Sequence, residues 1–255
     1  MKGESETAVS RPSARKFEIE GKVLGFPARF QDGSSAVGLF TVPASGAQAL
    51  IRESGFEVAE LWPGRACFSL ACCSYRESDC GSYNEVSMAF FVKPKHGRSS
   101  GVPYLGTWLD IVRNDSATHI WKLPVTTRLA NDAGVRMWGL PKTIEEIDFE
   151  KADGRATFQL RMDHCEVLRF SVPATGKRDQ PPSASAVYSI YEGAPHVTIL
   201  ENEYHDVGMS FRGGRLSLGE HPIAERLRGL ALPRRPLLST WMGRLSLEVG
   251  PPEKL

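Results

Sequence analysis

Residues 155 to 172 read RATFQLRMDHCEVLRFSV, with Phe158, Leu160 and Met162 alternating with polar residues. Apolar residues at every second position gather on one face of a strand, because successive side chains of extended backbone point to opposite sides. Asp163 and His164 supply a polar pair suited to a turn, and a second apolar run, EVLRFSV, follows at once. The stretch therefore predicts an antiparallel hairpin, with His164 as a turn residue and not a chemical one.

The same period near two recurs to either side, in short runs separated by Gly, Pro, Asp and Ser. KFEIEGKVL (16–24), AVGLFTV (36–42), ACFSLACCSY (66–75), EVSMAFFVK (85–93), ATHIWKLPV (117–125) and IEEIDFE (144–150) each predict a strand. So do VYSIYEG (187–193), HVTILENEY (196–204), GMSFRG (208–213), RLSLGE (215–220) and LSTWMGRLSLEV (238–249). Three helices are expected: GAQALIRE capped by Ser45, RLANDAG capped by Thr126 or Thr127 and ended by Gly134, and IAERLRGLAL opened by His221-Pro222. The glycines of RGGRLSLG (212–219) precede no helix, so they read as a hairpin turn and not a phosphate cradle. Pro- and Ser-rich GKRDQPPSASA (176–186) reads as a surface loop. The sum is a mainly β protein, or α+β with a few short helices: a flexible tail over 1–16, then a single domain over 17–250.

Charge and cysteine content narrow the partners. Lys plus Arg number 31 against 30 Asp plus Glu, a formal charge of +1, which provides no basic face for nucleic acid or an anionic membrane. No run reaches the ~18 to 20 apolar residues of a membrane-spanning helix. The five cysteines, with Cys72 and Cys73 adjacent, form neither a disulfide framework nor a CxxC pair, so a reducing cytoplasm is the expected setting. Cys67, Cys72 and Cys73 on an apolar strand read as small core residues. His96, His119, His196, His205 and His221 show no i, i+4 pair and no CxxC partner, so no metal site is expected.

Chemistry concentrates in MWGLPKTIEEIDFE (137–150). Lys142 follows Met137, Trp138, Leu140 and Pro141, and the proline fixes its own φ and restricts Leu140, so the chain entering the lysine is stiff. A lysine with its ordinary pKa of ~10.4 becomes a nucleophile at neutral pH only when burial or a neighbouring cation lowers that value. The apolar neighbours allow the first route, while a solvated lysine on a strand's outer face stays open as the alternative. Glu85 opens a strand of Val86, Met88, Phe90 and Phe91, where a partly desolvated carboxylate can shuttle protons. Trp121 and Trp138 are candidates to line a pocket, although packing is the commoner use of tryptophan.

Three stretches also carry a family resemblance. VTTRLANDAGVRMWGLPKTIEEIDF (125–149) resembles the segment of the acetoacetate decarboxylase superfamily in which a short helix and a Gly-Arg-x-x-Trp-Gly-Phe-Pro-Lys type motif lead to the Schiff-base lysine. GSYNEVSMAFFVKP (81–94) is similar to the family's Tyr-x-Glu strand, and LGEHPIAERLRGLALPRRPLLSTW (218–241) to its C-terminal region. The resemblance implies an antiparallel β-barrel-like fold and a homo-oligomer, with Lys142 forming an imine with a small-molecule carbonyl substrate and Glu85 acting as acid or base. Tyr83, Trp138, Leu140 and Trp121 are the candidate substrate-binding residues, and neither metal nor organic cofactor is expected.

The match departs beside the lysine. Family decarboxylases carry Pro-Lys-Lys, whereas this chain has Pro141-Lys142-Thr143, and FQDGSSAVGLF (30–40) and ACFSLACC (66–73) hold no Arg or Glu at the places of the family's further arginine and glutamate. The expectation is therefore a lysine-dependent lyase acting on a keto acid or related carbonyl compound other than acetoacetate, by decarboxylation or an aldolase- or dehydratase-like step. The alternative is a non-catalytic or regulatory protein that binds a carbonyl-bearing metabolite in the same pocket.

Overall fold

The computed structural model describes residues 15–93 and 117–255. Along them run β1 (Phe17–Ile19), β2 (Lys22–Leu24), β3 (Ala28–Pro43), α1 (Ala44–Ile51), β4 (Glu60–Trp62), β5 (Arg65–Ser78), β6 (Tyr83–Val92) and β7 (Ala117–Val125). Then follow α2 (Arg128–Trp138), β8 (Lys142–Ile144), β9 (Glu146–Ala152), β10 (Arg155–Met162), β11 (Cys165–Pro173) and β12 (Ser183–Tyr191). The chain ends with β13 (Ala194–Phe211), β14 (Arg215–Leu218), α3 (Pro222–Gly229), β15 (Leu238–Val249) and β16 (Glu253–Lys254). Most of the expected tail, residues 1–14, and His96 lie outside the described residues.

A ten-stranded sheet in the order β12-β13-β15-β3-β5-β6-β7-β8, with β4 on β5 and β16 on β13, makes the main wall. β7 also pairs with β12 in parallel, Thr118 against Val187, so the path of hydrogen-bonded neighbours returns to its start and the wall is barrel-like. A four-stranded sheet, β14-β11-β10-β9, packs on one face of that wall. Between them lies a core in which Phe40, Phe68, Phe90, Phe158 and Phe170 are all fully buried.

The hairpin of residues 155–172 forms as β10 and β11, with Asp163 and His164 at φ 49° and 61° in a tight turn whose twist suits the flanking strands. Five other readings are corrected by what the chain packs against. KFEIEGKVL is two short strands, because Glu20 and Gly21 at φ 49° and 73° fold it into the β1–β2 hairpin. IEEIDFE is split: β8 ends its pairing in the main wall, and β9 joins the second sheet, where Phe149 stacks on Phe158 at 4.5 Å. RGGRLSLG is no hairpin, since β14 pairs with β11 and not with β13, seating Leu216 opposite Phe170. The loop over 176–186 ends earlier than expected, with β12 starting at Ser183, and the two segments around Asp206 are one long strand, β13.

Helix ends follow local chemistry. α1 starts at Ala44 after Pro43 with no side-chain cap, so Ser45 does not cap it. α3 is capped by His221, whose Nδ1 accepts from the Ile223 N–H at 3.1 Å. No helix among the described residues is long and apolar enough to cross a membrane.

Candidate active site

α2 carries the chain into the site. Thr127 Oγ1 accepts from the Ala130 N–H at 3.4 Å, satisfying one of the free amides of the first turn. The helix does not stop at Gly134 but runs to Trp138 and closes at Gly139, which has φ 64° and donates to the Val135 carbonyl at 3.1 Å. A side chain at Gly139 would overlap the Ile190 carbonyl, so glycine is required there on conformational and steric grounds together.

Trp138 is fixed by its polar groups as well as by packing. Its indole Nε1 donates to the Gly250 carbonyl at 2.8 Å, its own carbonyl accepts from Ser189 Oγ at 2.7 Å, and Phe26 meets its ring edge-on at 5.5 Å. From this anchor Leu140 and Pro141 lead into β8, which pairs in parallel with β7 so that Lys142 lies opposite Leu123. The lysine stem then crosses α2 at Gly134. A methyl group at that position would overlap Lys142 Cδ and Cε, so the mid-helix glycine is the notch through which the lysine reaches inward.

Lys142 Nζ ends 2.8 Å from Glu85 Oε2, with side-chain exposures of 7% and 13%. Glu85 comes from β6, where it faces Cys73 of β5 and Val125 of β7. The Tyr83 hydroxyl donates weakly to the same Oε2 at 3.5 Å, and its ring centroid lies 5.3 Å from the ammonium. Burial above all, with the Glu85 carboxylate second for Tyr83 and third for Tyr75, holds both phenols well above their ordinary range, so they stay neutral donors.

A cavity of about 90 Å³ surrounds this pair. It is lined by Lys142, Glu85, Tyr83, Trp138 and Leu140, and also by residues the sequence reading passed over, among them Phe30, Tyr75, Thr198, Leu200 and Leu247. The last three alternate with outward residues on β13 and β15, so periodicity holds their signal; it does not reveal which face of a two-sided strand meets the cavity. Trp121 is not among the lining residues. It borders a neighbouring cleft of about 330 Å³ with His119 and Tyr188, to which Ile120 and Leu140 also contribute.

Two further points concern residues singled out in the sequence. Thr143 is exposed and, by strand alternation, on the face of β8 opposite to Lys142, so a cation at that position would point away from the cavity. Burial pushes the Cys67 thiol up to about 12, and burial followed by the Glu85 carboxylate pushes Cys73 up to about 11. These cysteines are protonated at neutral pH, in keeping with a packing role. Among the described residues no three His, Cys, Asp or Glu side chains converge as metal ligands would.

Fold and site together define a barrel-walled protein with a lysine amine paired to a carboxylate inside an apolar cavity. The chain belongs to the acetoacetate decarboxylase (ADC) family, whose match covers residues 20–250. Among solved structures, an acetoacetate decarboxylase is similar with a TM-score of 0.58 at 16% identity, over 90% of this chain and 89% of that one. The acetoacetate decarboxylase of Legionella pneumophila subsp. pneumophila str. Philadelphia 1 gives 0.60 at 13% identity, over 100% and 98%. The enduracididine biosynthesis enzyme MppR complexed with pyruvate gives 0.53 at 15% identity, over 88% of each chain. At these identities the likeness is one of fold. A search of curated proteins gave no match.

Proposed function

We propose that the protein is a Schiff-base-forming lyase in which Lys142 is the nucleophile and Glu85 the acid and base, acting on a keto acid or related carbonyl compound. The observation that carries this reading is the 2.8 Å contact between the two largely buried groups in a mostly apolar cavity. Membership of the acetoacetate decarboxylase family supports the same reaction class.

The geometry is compatible with the following steps. Glu85 takes a proton from the ammonium it touches, and the neutral amine adds to the substrate carbonyl carbon. Glu85 then returns the proton to the carbinolamine oxygen, water leaves, and an iminium remains beside the carboxylate. The iminium accepts the electron pair of a bond at the neighbouring carbon, whether the leaving group is carbon dioxide or, with the Glu85 carboxylate taking the β-hydroxyl proton, an aldehyde. Protonation of the resulting enamine and addition of water free the product and restore Lys142. The apolar lining strengthens each electrostatic step, because solvent screening is weak there.

Acetoacetate is a poor fit for a reason other than the one the Pro-Lys-Thr departure suggested, since position 143 faces away. Among the described lining residues, Lys142 is the only cation and is already paired, so the carboxylate of a substrate as small as acetoacetate, held wholly inside the cavity, meets no partner. The test is product release, as carbon dioxide or aldehyde, from a panel of β-keto acids and β-hydroxy ketones. Turnover of at least one compound, abolished in Lys142→Arg, is expected. Affinity without product at any pH, tolerated in Lys142→Arg, would instead identify a binding protein.

A further inference from the structure

Within the cavity one polar atom has no task. Thr198 lies on β13 opposite Val187 of β12, is 3% exposed, and lines the same space as Lys142 and Glu85. Its Oγ1 makes no hydrogen bond among the described residues. A buried hydroxyl left unpaired is costly, and valine would fill the same volume without that cost. The other wall residues near it, Val187, Leu200 and Val249, offer nothing to which the hydroxyl can turn.

We propose that Thr198 is the specificity-determining contact of this cavity, hydrogen-bonding an uncharged oxygen of the substrate, so that the preferred ligand is a neutral carbonyl compound carrying a second hydroxyl or carbonyl group. The proposal rests on the reading of Lys142 as the group that engages the first carbonyl. Two observations beyond the unpaired hydroxyl point to neutrality. Lys142 and Glu85 already neutralise each other at 2.8 Å, and the remaining described lining residues carry no charge. A carboxylate entering this space would leave one buried negative charge uncompensated, both beside the ion pair and after the lysine has become an iminium facing Glu85. A hydroxyl or ketone oxygen adds no charge and gives Thr198 a partner, and a threonine hydroxyl can rotate to donate or accept.

Matched ketones test this, because exchanging a methyl for a hydroxyl changes hydrogen bonding at nearly constant size. Hydroxyacetone is compared with butanone, and the next two longer homologues of that pair likewise, with pyruvate and acetoacetate as anionic counterparts. Dissociation constants come from NMR titration of wild type, Thr198→Val and Thr198→Ser, and each sample is also reduced with borohydride and mapped by peptide mass. In that step amine and ketone lose water to form the imine, and hydride converts it to a stable secondary amine on the lysine.

For at least one pair the hydroxy ketone should bind wild type roughly ten- to a hundredfold more tightly than its methyl analogue. The preference should vanish in Thr198→Val and persist in Thr198→Ser, with the keto acid anions weakest. No hydroxyl preference in wild type, a preference that survives Thr198→Val, or tightest binding by the anions would each overturn the proposal. The mapping reports separately on Lys142: a Thr198-dependent preference without label on Lys142 removes the lyase reading alone, whereas label on Lys142 without the preference removes the role of Thr198 alone.

Discussion

β5 and β6 each serve two regions with opposite demands. On one face Phe68, Leu70, Cys72, Val86, Met88 and Phe90 are fully buried against the second sheet. On the other face Tyr75, Tyr83 and Glu85 look into a cavity that holds an ion pair, phenols and an unpaired hydroxyl. The first face is built as a close-packed interior, where every apolar contact adds stability. The second buries charge and leaves space, neither of which stabilises a fold, since the desolvation of a buried ion pair can match or exceed its attraction. Stability and chemistry are thus separated across the thickness of a single pair of strands.

The largest effect that would test this separation is on the packed face. Phe158→Ala should lower the unfolding free energy by about 3–5 kcal/mol, because the ring is fully buried and its cavity cannot easily collapse. Urea denaturation measures the loss, and protein that remains folded should still form the imine at Lys142. Loss of that reaction in the folded fraction would mean that the two faces are coupled.

Glu85→Gln acts on the other face. It should preserve the fold and ligand binding while slowing turnover by roughly 100-fold or more, the usual contribution of a positioned acid or base. An unchanged rate constant would leave Glu85 as a packing partner of the lysine, and a collapse in melting temperature would make it structural.

Gly134→Ala separates helix propensity from site geometry. Alanine in a helix interior is favoured over glycine by about 1 kcal/mol, so the melting temperature should hold or rise. The new methyl nevertheless occupies the path of the Lys142 stem, which must shift, and turnover should fall by roughly tenfold. Unaltered kinetics would show that the lysine reaches its position without the notch.

The smallest effect concerns pH at the margin of the site. Burial holds the His119 imidazole below its ordinary value of 6.5, and its Nδ1 donates to the Tyr188 carbonyl at 2.9 Å. Below 6.5 the unfolded chain takes up a proton that the folded imidazole resists, so this contribution is intact above 6.5 and is lost as pH falls through and below it. Unfolding free energies measured on either side of 6.5 should show a shallower fall in His119→Gln than in wild type. Parallel pH profiles would remove His119 from the account.

The sequence made the packed face easier to read than the site. Alternation through Phe158, Leu160 and Met162 sufficed for β10 and its turn, because one face of that hairpin is buried and the other is not. Alternation misled where the chain changes sheet: Glu145 and Glu146 break the phase between Ile144 and Ile147, and the strand's partners change at that point. Gly134 looked like a helix end because glycine commonly is one, and its clearance for Lys142 exists only in three dimensions. The pairing of Lys142 with Glu85 joins residues 57 apart in sequence, a distance that no local period spans; only the family motif linked them. Thr198 carries no motif, and its isolation becomes visible only when every possible partner is in place.

Whether Lys142 is the amine that engages carbonyl compounds is read out by borohydride trapping followed by peptide mass mapping. With butanone at low loading, one reduced adduct is expected, on the peptide that contains Lys142, and it should disappear in Lys142→Arg. Label distributed evenly over surface lysines, with Lys142 unmodified, would contradict it.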